Sequence, residues 1–106
     1  MADGELDGRG DSDLLEKDRD EIKKPEMFRV LLHNDHYTTM EFVIEVLRVV
    51  FHKSFLEATK IMLDVHRKGV GIVGAYTYDV AQTRAARVLQ MAREREFPLQ
   101  CTVEQA

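Results

Sequence analysis

Cysteine, proline and long apolar runs are scarce in this chain, and each scarcity argues against a class of protein. Cys101 is the one cysteine among 106 residues, so no internal disulfide framework holds the fold. No apolar run approaches the length of a membrane span. No charged-then-apolar stretch at the N-terminal end reads as a secretion signal. A reducing, cytoplasmic setting is therefore expected. The formal charge of −4 argues against a general nucleic-acid binder. No internal repeat, no glycine-rich phosphate loop and no Gly-x-Ser-x-Gly turn appears.

The two prolines, Pro25 and Pro98, fall where the pattern changes. Residues 1–26 hold ten acids against five bases, net −5, and the remainder is net +1, which together give −4. That first stretch has few apolar residues beyond Leu6, Leu14, Leu15 and Ile22. It has too little to bury against the entropy of ordering, so residues 1–25 are expected to form a mobile acidic extension. Residues 26–106 are rich in Val, Leu, Ile, Phe and Met and are expected to fold as one domain with a modest core.

Hydropathy periods give the expected elements. Met27 to His33 alternates, with Phe28, Val30 and Leu32 on one face and Arg29, Leu31 and His33 on the other. A helix is expected from Thr39 to His52, with Phe42, Val43, Val46, Leu47, Val50 and Phe51 inward, and with Thr38 and Glu41 at capping-box spacing. Ser54 and Glu57 open a second helix from Phe55 to about His66, which Gly69 stops. Val70 to Tyr76 reads as a glycine-bearing strand. Thr77 is expected to cap a third helix reaching about Glu94, with Val80, Thr83, Val88, Met91 and Ala92 inward. Pro98 opens a last strand in which Leu99, Cys101 and Val103 alternate with polar residues. The order β-α-α-β-α-β implies an α+β, compact two-layer domain, with three helices on one face of a three-stranded antiparallel sheet.

The densest chemistry lies in the run from His33 to Val43, at the first strand-to-helix turn. Asn34, Asp35 and His36 are acceptors there, and His66 closes the second helix. Met62 and His66 share a helix face, as do Met40 and Val43. Taken alone, Asn34 and Asp35 are ordinary turn formers, His66 an ordinary helix-end residue, and Met40, Val43, Met62, Val65 and Leu99 ordinary core. The same residues also suit a pocket that takes a cation beside an apolar group. A metal site built from His33, Asp35, His36 and His66 lacks a familiar ligand spacing. Cys101, in an alternating strand, reads as a buried thiol rather than a nucleophile.

The combination resembles the ClpS family, the bacterial N-end rule adaptors of the ClpA–ClpP protease. The resemblance covers about residues 25–106. It is carried by Asn34-Asp35, Thr38, Met40-Glu41-Phe42-Val43, Glu57-Ala58-Thr59, Met62-Leu63, Val65-His66, Gly69 and Pro98-Leu99-Gln100-Cys101-Thr102. It implies a non-enzymatic monomer, without metal or cofactor, that binds proteins beginning with Leu, Phe, Tyr or Trp and delivers them to an unfoldase. By position it assigns the α-amino group to Asn34, Asp35 and His66. It assigns the side-chain pocket to Thr38 at the rim with Met40, Val43, Met62, Val65 and Leu99. Asp79 and Arg84 fall where the family docks on the unfoldase N-terminal domain, with Ala81 a weaker match. The acidic extension corresponds to the segment implicated in handover. A generic interaction domain like that of the ribosomal stalk is the competing reading of the fold.

Two positions depart from the family pattern. His36 stands where a second Asp is usual, and Thr39 where Pro is common; both are possible peptide contacts. His36 removes a negative charge near the amine site. Thr39 lacks the fixed φ of proline at a helix start. As an amine acceptor the His66 ring must be neutral, so binding is expected to weaken in acid.

Overall fold

A computed structural model describes residues 24–106. The expected acidic extension thus falls almost wholly outside the described residues. The elements are β1 (Met27–His33), α1 (Met40–Val49), α2 (Phe55–Lys68), β2 (Val70–Thr77), α3 (Tyr78–Glu94) and β3 (Gln100–Gln105). The sheet has the order β2-β1-β3 and both pairings are antiparallel. The most apolar strand is therefore the central one, as expected for a strand flanked on both edges. Val30 and Leu32 are wholly buried beneath the helices. On the open face Arg29 pairs with Glu104 at 2.7 Å, and His33 shares a 2.7 Å hydrogen bond with Thr102.

The core joins Val30 and Leu32 to Phe42, Val46 and Leu47 of α1, Ala58 and Val65 of α2, and Ala85, Val88 and Ala92 of α3. α1 is shorter than its apolar stripe implies. It ends at Val49, and the chain reverses at His52, whose φ is 56°. The Lys53 amide then reaches back to the Leu47 carbonyl at 3.1 Å. Val50 and Phe51 stay buried after the helix has ended, so burial alone did not mark its boundary. α2 opens on the expected Ser54–Glu57 capping box and closes at Gly69 with φ 87°. It runs two residues past His66, because the left-handed turn that only glycine adopts at low cost comes at Gly69.

α3 agrees with expectation at Val88 and Ala92 and differs over its first turns. Ala81, Ala85, Val88 and Ala92 are the buried residues, while Val80 and Thr83 are exposed. Ala81, Ala85, Val88 and Ala92 follow helical spacing and form the inward stripe, which turns Val80 and Thr83 to the outer side. Thr77 occupies the N-cap but its side chain makes no capping bond.

Gly71 sets how closely α2 approaches β2. A Cβ there would lie 2.7 Å from Val65 Cγ2 and 3.2 Å from the Ile61 carbonyl. Gly71→Ala must therefore displace α2, at a cost of about 1–3 kcal/mol. Urea denaturation checks this; an unchanged midpoint would show that α2 is free to shift.

Candidate functional site

One backbone hydrogen bond brings the two halves of the site together. The Asn34 N–H donates to the Gly69 carbonyl at 2.9 Å. It ties the loop after β1 to the end of α2, two stretches far apart in sequence. The loop between β1 and α1, Asn34 to Thr39, is folded around a single carboxylate. Asp35 Oδ1 accepts from the Tyr37 and Thr38 amides at 2.8 and 2.7 Å, and Oδ2 accepts from the Thr38 hydroxyl at 2.7 Å. This is the local backbone bonding that makes Asp a turn residue.

The helix cap lies one residue later than its spacing suggested. Thr39, not Thr38, is the N-cap of α1, its hydroxyl accepting from the Phe42 amide at 3.1 Å. Thr38 is instead committed to Asp35. The departure at Thr39 thus exchanges one helix-start device for another.

Around this loop lies a cavity of about 560 Å³. Val43, Met62 and Val65 line it as nearly buried side chains, and Met40 lines it while 43% exposed. Asn34, Asp35, His36, Thr38, Thr39 and His66 line it as well. Asn34, His36 and His66 are exposed, so the polar groups sit toward solvent and the apolar ones toward the core. The structure gathers nearly every residue assigned to the site from sequence. Leu99 is the exception: it is 3% exposed, packs in the core and does not line the cavity. Tyr37 and Glu41 also line it, and sequence reasoning missed both. The signal for Tyr37 was its place two residues beyond an Asp in a turn.

Burial would raise the Asp35 carboxyl pKa, but the Thr38 amide and hydroxyl, the Tyr37 amide and the nearby His36 outweigh it and hold the value below the ordinary 3.8. The group is therefore an anion at neutral pH. A carboxylate offers about four acceptor positions; three are taken by the loop, which leaves one aimed elsewhere. Cys101, by contrast, is buried, and desolvation raises its thiol to about 12. Such a thiol holds too little thiolate to act as a nucleophile. Among the described residues no group of three or more His, Cys, Asp or Glu could hold a metal ion.

Asp79 and Arg84 lie elsewhere. With Val80 and Thr83 they line a separate depression of about 270 Å³ on the outer side of α3. Ala81 is fully buried, so it presents nothing to that surface.

An apolar recess under polar acceptors is the geometry of a binding site. Comparison with known proteins agrees. The family model described as ATP-dependent Clp protease adaptor protein ClpS matches residues 23–102. The ClpS adapter protein of Syntrophus aciditrophicus is 53% identical over 95 residues, 90% of this chain and 89% of that protein. That of Acetivibrio thermocellus is 60% identical over 84 residues, 79% of this chain and 85% of that protein. The structure of Agrobacterium tumefaciens ClpS2 bound to L-phenylalaninamide is 36% identical and matches with a TM-score of 0.76. That match covers 78% of this chain and all (100%) of that one. The chain belongs to the ClpS family: it is an adaptor of a Clp protease and not an enzyme.

A group whose pKa is lowered on folding stabilises the fold above its unfolded value, and that contribution is lost as pH falls through the folded value. The turn at Asn34 to Thr39 should therefore hold at pH 4 and above, about where free aspartate titrates, and loosen only in stronger acid. Following the Tyr37 and Thr38 amide resonances through an acid titration should give a midpoint below 3.8. A midpoint at or above that value would show that these amides do not hold the carboxylate.

Proposed function

We propose that the cavity captures the N-terminal residue of a protein whose α-amino group is free and whose side chain is bulky and apolar: Leu, Phe, Tyr or Trp. The observation that carries this is the placing of Asn34, Asp35 and His66 over an apolar floor of Val43, Met62 and Val65. An α-ammonium has three donors and must meet acceptors if it is to leave water. Asn34 supplies an amide oxygen, Asp35 its remaining acceptor position, and His66 a ring nitrogen. Each charge-assisted bond is worth about 1.5–3 kcal/mol. Burying a Leu or Phe side chain adds about 1.5–3 kcal/mol. Set against the cost of association, this supports affinity on the order of micromolar. The phenylalaninamide in the Agrobacterium structure has this chemistry, a free α-amine beside an apolar side chain.

Delivery completes the reading. The chain hands its cargo to a ClpA-type unfoldase in the cytoplasm, acting as a monomer, with Asp79 and Arg84 on the docking surface. The acidic N-terminal segment serves handover rather than capture. Deleting residues 2–22 should leave peptide affinity unchanged and impair stimulated degradation; equal degradation by both chains would remove the segment from delivery.

The deciding experiment is fluorescence-anisotropy binding of a labelled peptide beginning with Leu. N-acetylation removes the charge and two donors, and should weaken binding by more than about tenfold. Asp35→Asn keeps the shape of the turn and removes its charge, with a loss of similar size. Met40 and Val43 crowd a side chain branched at Cβ, so Ile at the first position should bind more weakly than Leu. Equal affinity for free and acetylated peptides would overturn the reading.

A further inference from the structure

Beyond Glu41, the outer face of α1 is not used by the cavity. Glu41, Ile44, Glu45, Arg48, Val49 and His52 recur at intervals of three or four residues and form one continuous stripe. It lies opposite the buried Phe42, Val43, Val46 and Leu47. With Lys53 and Phe55 the stripe lines a groove of about 680 Å³. Val49 and Phe55 are 49% and 60% exposed there. The Arg48 guanidinium lies 5.8 Å from the Phe55 ring centre, which keeps its charge over the apolar part.

This groove begins where the cavity ends: Glu41 lines both. Charge changes sign along it. At the cavity end stand Asp35 and Glu41. Glu45, midway, is engaged by Arg95 at 2.9 Å. At the far end stand Arg48, His52 and Lys53, and the nearest lining acid, Glu45, is the one paired with Arg95. A chain held by its first residue leaves through the cavity mouth, and the groove is the continuation of that mouth.

We propose that the stretch of substrate behind the captured residue lies along this stripe, and that acidic residues reaching its far end strengthen binding. The inference rests on the capture reading above. From Glu41 to Val49, where α1 ends, the helix rises about 12 Å, about four residues of extended chain, and Lys53 folds back beside Leu47 at that end. The residues about five to eight places from the substrate N-terminus therefore meet Arg48, His52 and Lys53. The occupant is the substrate itself, and the residues just after the captured one, which pass Asp35 and Glu41, gain nothing from being acidic.

Three labelled peptides test this. All begin with the same free Leu and differ only at positions five to eight, which are acidic, neutral or basic. At low salt the acidic peptide should bind about three- to tenfold more tightly than the basic one. The gap should close at about 1 M salt, where the screening length falls to about 3 Å. It should vanish or invert in the double variant Arg48→Glu, Lys53→Glu; the salt series makes the same point without mutation. Equal affinities across the charge series, with the neutral peptide still bound, would overturn the groove inference alone. Failure of the neutral free-amine peptide to bind would overturn the capture reading and this inference with it. An N-acetylated acidic peptide that binds as well as the free one would make the groove an independent site for acidic segments, which also overturns the proposal.

Discussion

Everything at the site depends on the contact between Asn34 and Gly69. The bond is a backbone one, 2.9 Å from amide to carbonyl, and it joins two turns that the chain reaches from opposite directions. β1 ends in one of them and α2 in the other. Gly69 takes the left-handed conformation that ends the helix, and its carbonyl then meets the loop. The last turns of α2 consequently bring Met62, Val65 and His66 beside Asn34 and Asp35. Gly71 extends this control, since its missing side chain lets α2 settle onto β2. Two glycines thus fix where α2 ends and how closely it lies on β2.

Asp35 shows why turn formation and ligand recognition are not rival explanations. Its carboxylate organises the loop through three hydrogen bonds, and those same bonds stabilise its charge. A free aspartate on a mobile loop would have to be ordered by its ligand, at an entropic cost that subtracts from affinity. Here the fold has met that cost already. The residue that looks most local in sequence is therefore an ordered anion, and under the proposed capture its remaining acceptor position would need no ordering by the ligand.

The fold was legible because its signals were local. Alternation in β1, the Ser54–Glu57 capping box and Gly69 each act within a few residues, and all three stand in the structure as the sequence indicated. What sequence reading missed depends on packing. The end of α1 escaped because Val50 and Phe51 remain buried after the helix has turned away. The first turns of α3 escaped because Ala81 and Ala85, weakly apolar by scale, are what close packing on a sheet selects. Thr38 and Thr39 are chemically alike, and only the competing pull of Asp35 on Thr38 decides which of them caps the helix. At the site, helical spacing placed Met62 and His66 together but could not say that a hydrogen bond between loops would bring Asn34 to them. The family resemblance supplied that juxtaposition. It also drew in Leu99, which this structure keeps in the core.

The distribution of burial fits an adaptor better than it fits a store. The apolar floor is nearly closed to water, while Met40, Asn34 and His66 remain exposed at the mouth. Ionic bonds in an open mouth are screened and exchange readily with water, so under the proposed capture the recess would discriminate by shape and charge without holding its cargo irreversibly. A deeper ammonium site would bind more tightly only if every donor were met, and would release more slowly, since affinity is set mostly by the off-rate. Handing a protein onward requires the opposite compromise. Specificity then has to come from several modest contacts in series, and a stripe of changing charge that begins at the cavity mouth can extend that series along the cargo without deepening the recess.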